Sequence, residues 1–215
     1  MLKFALILLY VFSIFLISII YKRFNEDNKE ALRKIIHIGM GPLIPIAQYL
    51  KIDQISALTF TGIISLLIFL NYLYKVFPTI EDVDRKSFGT LFYCLSLFIL
   101  IFLYWEKDPY SLIAGFFIMS FGDGLAGLIG KNLKSKSWFF LKQRKSLFGT
   151  ITMFLTSLIV VSSLGYMQEY NFNINFLIIA FIATALEQFS VIGIDNFLVP
   201  IAGGISFNIL VTNIT

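Results

Sequence analysis

Apolar residues run along this chain in long unbroken stretches, separated by short segments that hold most of the charge. Eight such stretches are read, at about 2–21, 35–50, 55–77, 89–105, 110–130, 147–166, 175–192 and 197–213. Runs of about 17 to 25 apolar residues match the helix length needed to cross ~30 Å of hydrocarbon. Their continuity excludes the alternating strands of a membrane β-barrel. The pattern predicts an all-α, polytopic integral-membrane helical bundle of about seven to eight spans, forming one domain over 1–215. The first run follows a single Lys3 and lacks a small-residue cleavage site, so it is expected to be a retained span. The first loop, 22–34, mixes both charge signs at helical spacing and is expected to continue as an interfacial helix.

Composition agrees with lipid: 58% of residues are hydrophobic and 14% charged, where a soluble domain carries roughly 25% charged residues. The placement of the 17 basic residues adds an orientation. The first loop holds Lys22, Arg23, Lys29, Arg33 and Lys34; the third, at 78–88 with its flank, holds Lys75, Arg85 and Lys86. The fifth, 131–146, holds Lys131, Lys134, Lys136, Lys142, Arg144 and Lys145. Only Lys3, Lys51 and Lys107 fall on the opposite side. By the positive-inside rule the odd loops are cytoplasmic and the N-terminus lies outside. The fifth loop has no acidic residue and carries Trp138, Phe139 and Phe140 at its centre, a composition suited to lipid headgroups.

Single residues narrow the chemistry further. Cys94 is the sole cysteine and His37 the sole histidine. An internal disulfide and a zinc site of several His or Cys ligands are excluded, and a Ser-His-Asp triad requires His37. Nothing in the chain points to nucleic acid or fixes an oligomeric state.

Two carboxylates lie inside apolar runs, Asp123 and Glu187. An ionised group near hydrocarbon costs at least a few kcal/mol unless compensated, which marks both as functional candidates. On the predicted topology they share one face with Arg33, Lys34 and His37, with Lys145 and Ser146 opening the sixth span, and with Asp195 and Asn196 after the seventh. Each piece has a plainer reading. Gly122, Ala126 and Gly130 form a small-residue stripe for helix packing. Lys145-Ser146 serves equally as an anchor and helix cap, and Asp195-Asn196 before Pro200 as a turn. Together, acids and cations at one membrane face suit phosphate chemistry, because Mg²⁺ takes carboxylates plus substrate phosphates while Lys and Arg neutralise the transferred group. GLAGLIGKN is not a P-loop, since Leu125 stands at the first required glycine and Asn132 at the Ser/Thr position.

Four segments carry a resemblance: RKIIHIGMG at 33–41, GDGLAGLIG at 122–130, KSLFGTITMF at 145–154 and LEQFSVIGIDNFLVP at 186–200. In order and spacing the chain resembles the membrane-bound prenol kinases, phytol kinase most closely, with farnesol, dolichol and CTP-dependent diacylglycerol kinases as relatives. Lys134 stands where the family commonly has a further glycine. Phe148 stands where dolichol and diacylglycerol kinases tend to carry an acid, which is the pattern of the phytol and farnesol branch. The resemblance implies a kinase that phosphorylates a membrane lipid alcohol, phytol or a related prenyl alcohol, from a nucleoside triphosphate, CTP before ATP, with Mg²⁺. It also implies a place in isoprenoid salvage and tocopherol biosynthesis.

Carried onto this chain, the catalytic residues are Asp123, Lys145 and His37. Arg33, Lys34, Ser146, Gly149 and Asn196 bind substrate or nucleotide, and Asp123, Glu187 and Asp195 serve the metal. Whether Asp123 and Asp195 hold Mg²⁺ or orient the hydroxyl is open at this point. The alternatives are a dolichol or diacylglycerol kinase, a lipid-phosphate cytidylyltransferase using the same platform, and a transporter. The one-sided cluster speaks against the transporter, which needs access from both faces.

Overall fold

In the computed structural model, which describes residues 2–24, 29–74, 88–141, 143–189 and 191–212, the apolar runs fold as helices. Those of membrane-crossing length are α1 (Leu2–Phe24), α4 (Gln54–Tyr74), the composite Pro109–Asn132 and α8 (Leu147–Met167). Shorter helices complete the bundle: α2 (Lys29–Met40), α3 (Leu43–Tyr49), α5 (Gly89–Tyr104), α9 (Ile174–Glu187) and α10 (Asp195–Phe207). The composite comprises α6 (Pro109–Phe117), a π-helical segment (Ile118–Asp123) and α7 (Gly124–Asn132). The described residues are all-α, apart from one small hairpin.

Among the described residues, four helices are long and apolar enough to cross a membrane by length and composition. The remaining expected spans fall on shorter helices. The run at 35–50 is two helices rather than one, because Pro42 lacks an N–H and cannot continue α2. The Ile38 carbonyl is taken instead by the Gly41 N–H at 3.0 Å. α2 begins at Lys29 within the first loop, as the mixed charge spacing predicts. Most of the third loop, with Lys75, Arg85 and Lys86, lies outside the described residues.

Burial runs opposite to that of a water-soluble protein at the periphery. The inward residues of α4 are Ala57, Thr61, Ser65 and Asn71, while Ile55, Ile63, Leu66 and Leu67 are exposed. Its buried hydroxyls are satisfied locally: Thr61 Oγ1 donates to the Ala57 carbonyl at 2.7 Å and Ser65 Oγ to that of Thr61 at 2.8 Å. α1 is likewise sheathed in exposed Leu, Ile and Phe. An apolar surface this extensive suits hydrocarbon.

The composite helix 109–132 is the innermost of the four long segments. Asp108 caps its start by accepting from the Ser111 N–H at 3.2 Å, and Pro109 follows at the first helical position. α6 crosses α10 at glycines. A Cβ on Gly115 would lie 2.2 Å from the Pro200 carbonyl oxygen and 2.8 Å from the Gly204 nitrogen. Gly115→Ala must therefore push two backbones apart, and overpacking of this kind costs about 1–3 kcal/mol. A lower midpoint in thermal unfolding of the detergent-solubilised protein is the expected result. Gly62→Ala, whose Cβ would meet only the Phe98 ring edge at 3.3 Å, should change it little.

Candidate active site

The site is assembled from α2, the π-helical segment leading into α7, the strand leading into α8, the end of α9 and the start of α10. Asp123 ends the π-helical segment, at the junction where the helix tightens into α7. A π turn adds a residue to the helical repeat and recurs at functional sites because it re-aims a side chain. Opposite it, Lys34 of α2 donates from Nζ to Asp123 Oδ2 at 2.5 Å. Gly127 makes this approach possible: a Cβ there would fall 2.5 Å from Lys34 Cε. Gly124 does the same a turn earlier, where a Cβ would meet Ile38 Cγ1 at 2.4 Å.

His37 stands one turn beyond Lys34, its Nε2 3.6 Å from Asp123 Oδ2. That nitrogen is buried and has no hydrogen-bond partner, and the Met119 backbone of the π-helical segment lies close to the ring. The Tyr93 ring packs on the imidazole at 4.3 Å between centroids. Its hydroxyl shares a 2.8 Å hydrogen bond with Ser120 Oγ.

The second pair comes from the other half of the chain. Lys145 Nζ donates to Glu187 Oε1 and, at 2.5 Å, to the Glu187 carbonyl that ends α9. Gln188 Nε2 holds the other carboxylate oxygen of Glu187 at 3.0 Å. Lys145 reaches this position from a β-hairpin, β1 (Ser137–Phe140) and β2 (Gln143–Ser146), in the segment expected to be a plain loop. Asp195 opens α10 rather than lying in the preceding turn, and Pro200 sits inside that helix. Asp195 Oδ1 is buried without a hydrogen-bond partner. The carboxylate is within electrostatic reach of Asp123, Lys34, Lys145 and Glu187.

Lys34, Asp123, Lys145, Glu187 and Asp195 are the only buried Lys, Arg, Asp or Glu side chains among the described residues, each no more than 9% exposed. Burying an ion costs several kcal/mol even after relaxation, so two buried pairs and an unpaired acid in one place are poor devices for stability. Arg33 is exposed at the rim and acts electrostatically on Asp123 and His37.

Three expected ligands are engaged in the scaffold. Ser146 caps α8, its Oγ accepting from the Gly149 N–H at 3.2 Å. Gly149 packs against α7, where a Cβ would lie 3.1 Å from the Ala126 carbonyl. Asn196 Nδ2 donates to the Gly89 carbonyl at 2.8 Å, fixing the start of α5. The stripe Gly122, Ala126, Gly130 is the α7–α8 contact: Cβ atoms on its two glycines would meet Met153 and Ser146. The three carboxylates proposed for the metal lie in one neighbourhood, with Asp123 and Glu187 each turned to a lysine. No group of three His, Cys, Asp or Glu side chains is spaced for a metal ion among the described residues. Sequence reasoning missed Tyr93, which is indistinguishable from other aromatics of an apolar run, and the backing roles of Gly124 and Gln188, although both lie in quoted motifs.

Comparison with known proteins bears on this arrangement. The chain is 35% identical over 206 residues to a Synechocystis protein named phytol kinase, covering 91% of this chain and 86% of that one. It is 26% identical over 193 residues to a probable chloroplastic phytol kinase of Triticum aestivum, and 27% identical over 207 residues to a probable chloroplastic phytol kinase of Glycine max. Those alignments cover 79% and 83% of this chain and 64% of each plant protein. No protein-family model and no solved structure matches.

Proposed function

The chain belongs to the phytol kinase family and is a kinase with an alcohol as phosphoryl acceptor, and we propose that this acceptor is phytol or a related prenyl alcohol. The observation that supports the site assignment is the gathering of the buried charges around Asp123. A long-chain alcohol partitions into the bilayer and a nucleotide does not, so the hydroxyl and the triphosphate meet at one membrane face. The donor is a nucleoside triphosphate, CTP by the family resemblance.

Asp123 orients the acceptor hydroxyl. As that oxygen bonds to the terminal phosphorus, the bond from phosphorus to the bridging oxygen breaks and a nucleoside diphosphate leaves. The hydroxyl proton passes to the Asp123 carboxylate, with His37 Nε2 beside it to hold the proton in turn. Lys34 and Lys145, each neutralised by a carboxylate before substrate arrives, exchange that partner for phosphate oxygens. Arg33 adds positive charge at the rim. An all-oxygen donor set fits Mg²⁺, which takes one or two carboxylates plus phosphates. Asp195, with its unpartnered Oδ1, and Glu187 would hold it, and bound there it would neutralise charge on the phosphates.

The proposed topology keeps eight crossings, the N-terminus outside and the site on the cytoplasmic side, supported by the basic bias of the odd loops. In a Cys94→Ala background, a cysteine at position 136 is expected to resist impermeant thiol reagents added outside and to react once the membrane is opened. Labelling from outside would place the site on the other face. The substrate reading is tested with purified protein and radiolabelled CTP or ATP against phytol, farnesol, dolichol and diacylglycerol. Label in phytyl phosphate is the expected product. Turnover confined to dolichol or diacylglycerol, or transfer of the nucleotidyl group with release of diphosphate, would overturn it.

A further inference from the structure

The hairpin that delivers Lys145 has a second face. Its register pairs Trp138 with Lys145, Phe139 with Arg144 and Phe140 with Gln143, and residues directly opposite on antiparallel strands share a side of the ribbon. The side of Lys145 is turned inward: Lys145 is buried, and the Phe140 ring meets Phe189 edge-on at 5.2 Å. The other side presents Phe139, 77% exposed, beside an exposed Arg144. Leu141 at the tip is 53% exposed, and Lys134 and Lys136 are exposed where the hairpin begins. The hairpin joins the ends of two helices of membrane-crossing length, Pro109–Asn132 and Leu147–Met167. That position sets it at the boundary of the hydrocarbon.

The geometry points to this outer face as a docking surface for anionic lipid, with Phe139 and Leu141 entering the interface and Lys134, Lys136 and Arg144 engaging negatively charged headgroups. Charge chooses the partner. The segment from Lys131 to Ser146 holds six basic residues and no acidic one, and an anionic leaflet attracts the exposed Lys134, Lys136 and Arg144 in a way a zwitterionic surface does not. Apolar and aromatic side chains interleaved with cations are the pattern that anchors a segment in the plane of the interface. The pleat then makes one ribbon serve two purposes, since successive residues of β2 point to opposite sides: Arg144 to lipid, Lys145 to the site.

Trp138 pairs with Lys145 on the inward side, but it is 38% exposed and adjoins Phe139, so its emission reports contact of the ribbon with lipid without reference to the reaction. The chain has two tryptophans, and the other, Trp105, is 3% exposed. Subtracting the emission of a Trp138→Phe variant from that of the wild-type protein isolates the Trp138 signal. The protein is reconstituted in phosphatidylcholine vesicles brominated near the headgroup, and in vesicles where brominated phosphatidylglycerol replaces part of that lipid at equal bromine content. Trp138 should be quenched at least about twofold more in the anionic vesicles, because anionic lipid concentrates at the basic hairpin. The triple variant Lys134→Ser, Lys136→Ser, Arg144→Ser should remove that difference, and Phe139→Asp should reduce quenching in both vesicles. Equal quenching of the wild type by the two lipids would overturn the choice of anionic lipid. Absence of quenching by either would overturn docking altogether.

Discussion

Asp123→Asn is expected to lower turnover by roughly a thousandfold while the protein still inserts in the membrane, within the 10²–10⁴ range attributed to a positioned acid–base group. Asparagine keeps the size of the side chain and an oxygen for Lys34 to meet. It removes the negative charge that orients a hydroxyl and receives its proton. The substitution also leaves Lys34 buried without its counter-charge, and breaking one side of a buried pair costs about 3–5 kcal/mol. A loss of activity through unfolding must therefore be separated from a loss of chemistry. The double variant Asp123→Asn, Lys34→Gln removes both charges at once, so its thermal midpoint should recover toward wild type while its activity stays as low as that of the single variant. Recovery of turnover in the double variant, or near-normal activity in a properly inserted Asp123→Asn, would reduce Asp123 to a residue that merely anchors α2 on α7.

The second large effect is expected at Lys145. Lys145→Ala and Lys136→Ala each remove one positive charge from the same basic segment, but Lys145 is buried against Glu187 and Lys136 is exposed. A hydrogen bond to a charged group is worth about 1.5–3 kcal/mol, so Lys145→Ala should reduce kcat/KM for the nucleotide on the order of a hundredfold. A charge in water is screened by salt within about 10 Å at 0.1 M, so Lys136→Ala should change it about twofold at most. Measured at fixed ionic strength, the pair separates a defined phosphate ligand from diffuse attraction. Equal small losses would leave Lys145 as the partner of Glu187 alone and move phosphate binding to Lys34 and Arg33.

Both experiments rest on positions that stand out in the bare sequence, because a charge inside an apolar run is conspicuous wherever the chain folds. Asp123 and Glu187 are marked by their surroundings, and Lys34, His37, Lys145 and Asp195 by the order and spacing of the motifs around them. Helical class follows for the same reason: an unbroken apolar run in lipid must satisfy its backbone internally, and a helix does so residue by residue. The small-residue stripe of α7 was legible as a packing face, since i, i+4 spacing places Gly122, Ala126 and Gly130 on one side whatever they meet.

What the sequence left undecided was partnership. Lys34 and Asp123 are 89 positions apart and Lys145 and Glu187 are 42 apart, and no local rule states which cation a buried acid selects. For Lys34 and Asp123 that choice followed from how closely α2 approaches α7, which Gly124 and Gly127 permit by lacking a side chain. Tertiary packing likewise committed Ser146, Gly149 and Asn196 to caps and contacts, although the same residue types serve equally as phosphate ligands. It also turned the expected loop at 131–146 into a ribbon whose register sends Lys145 inward, where a slip of one residue would send Arg144 instead. The sequence by itself determined which groups carry charge and that the chain folds as helices apolar enough for lipid, because composition and periodicity are local properties. Only the tertiary structure decided which of those groups face each other, because pairing depends on contacts between segments remote in the chain.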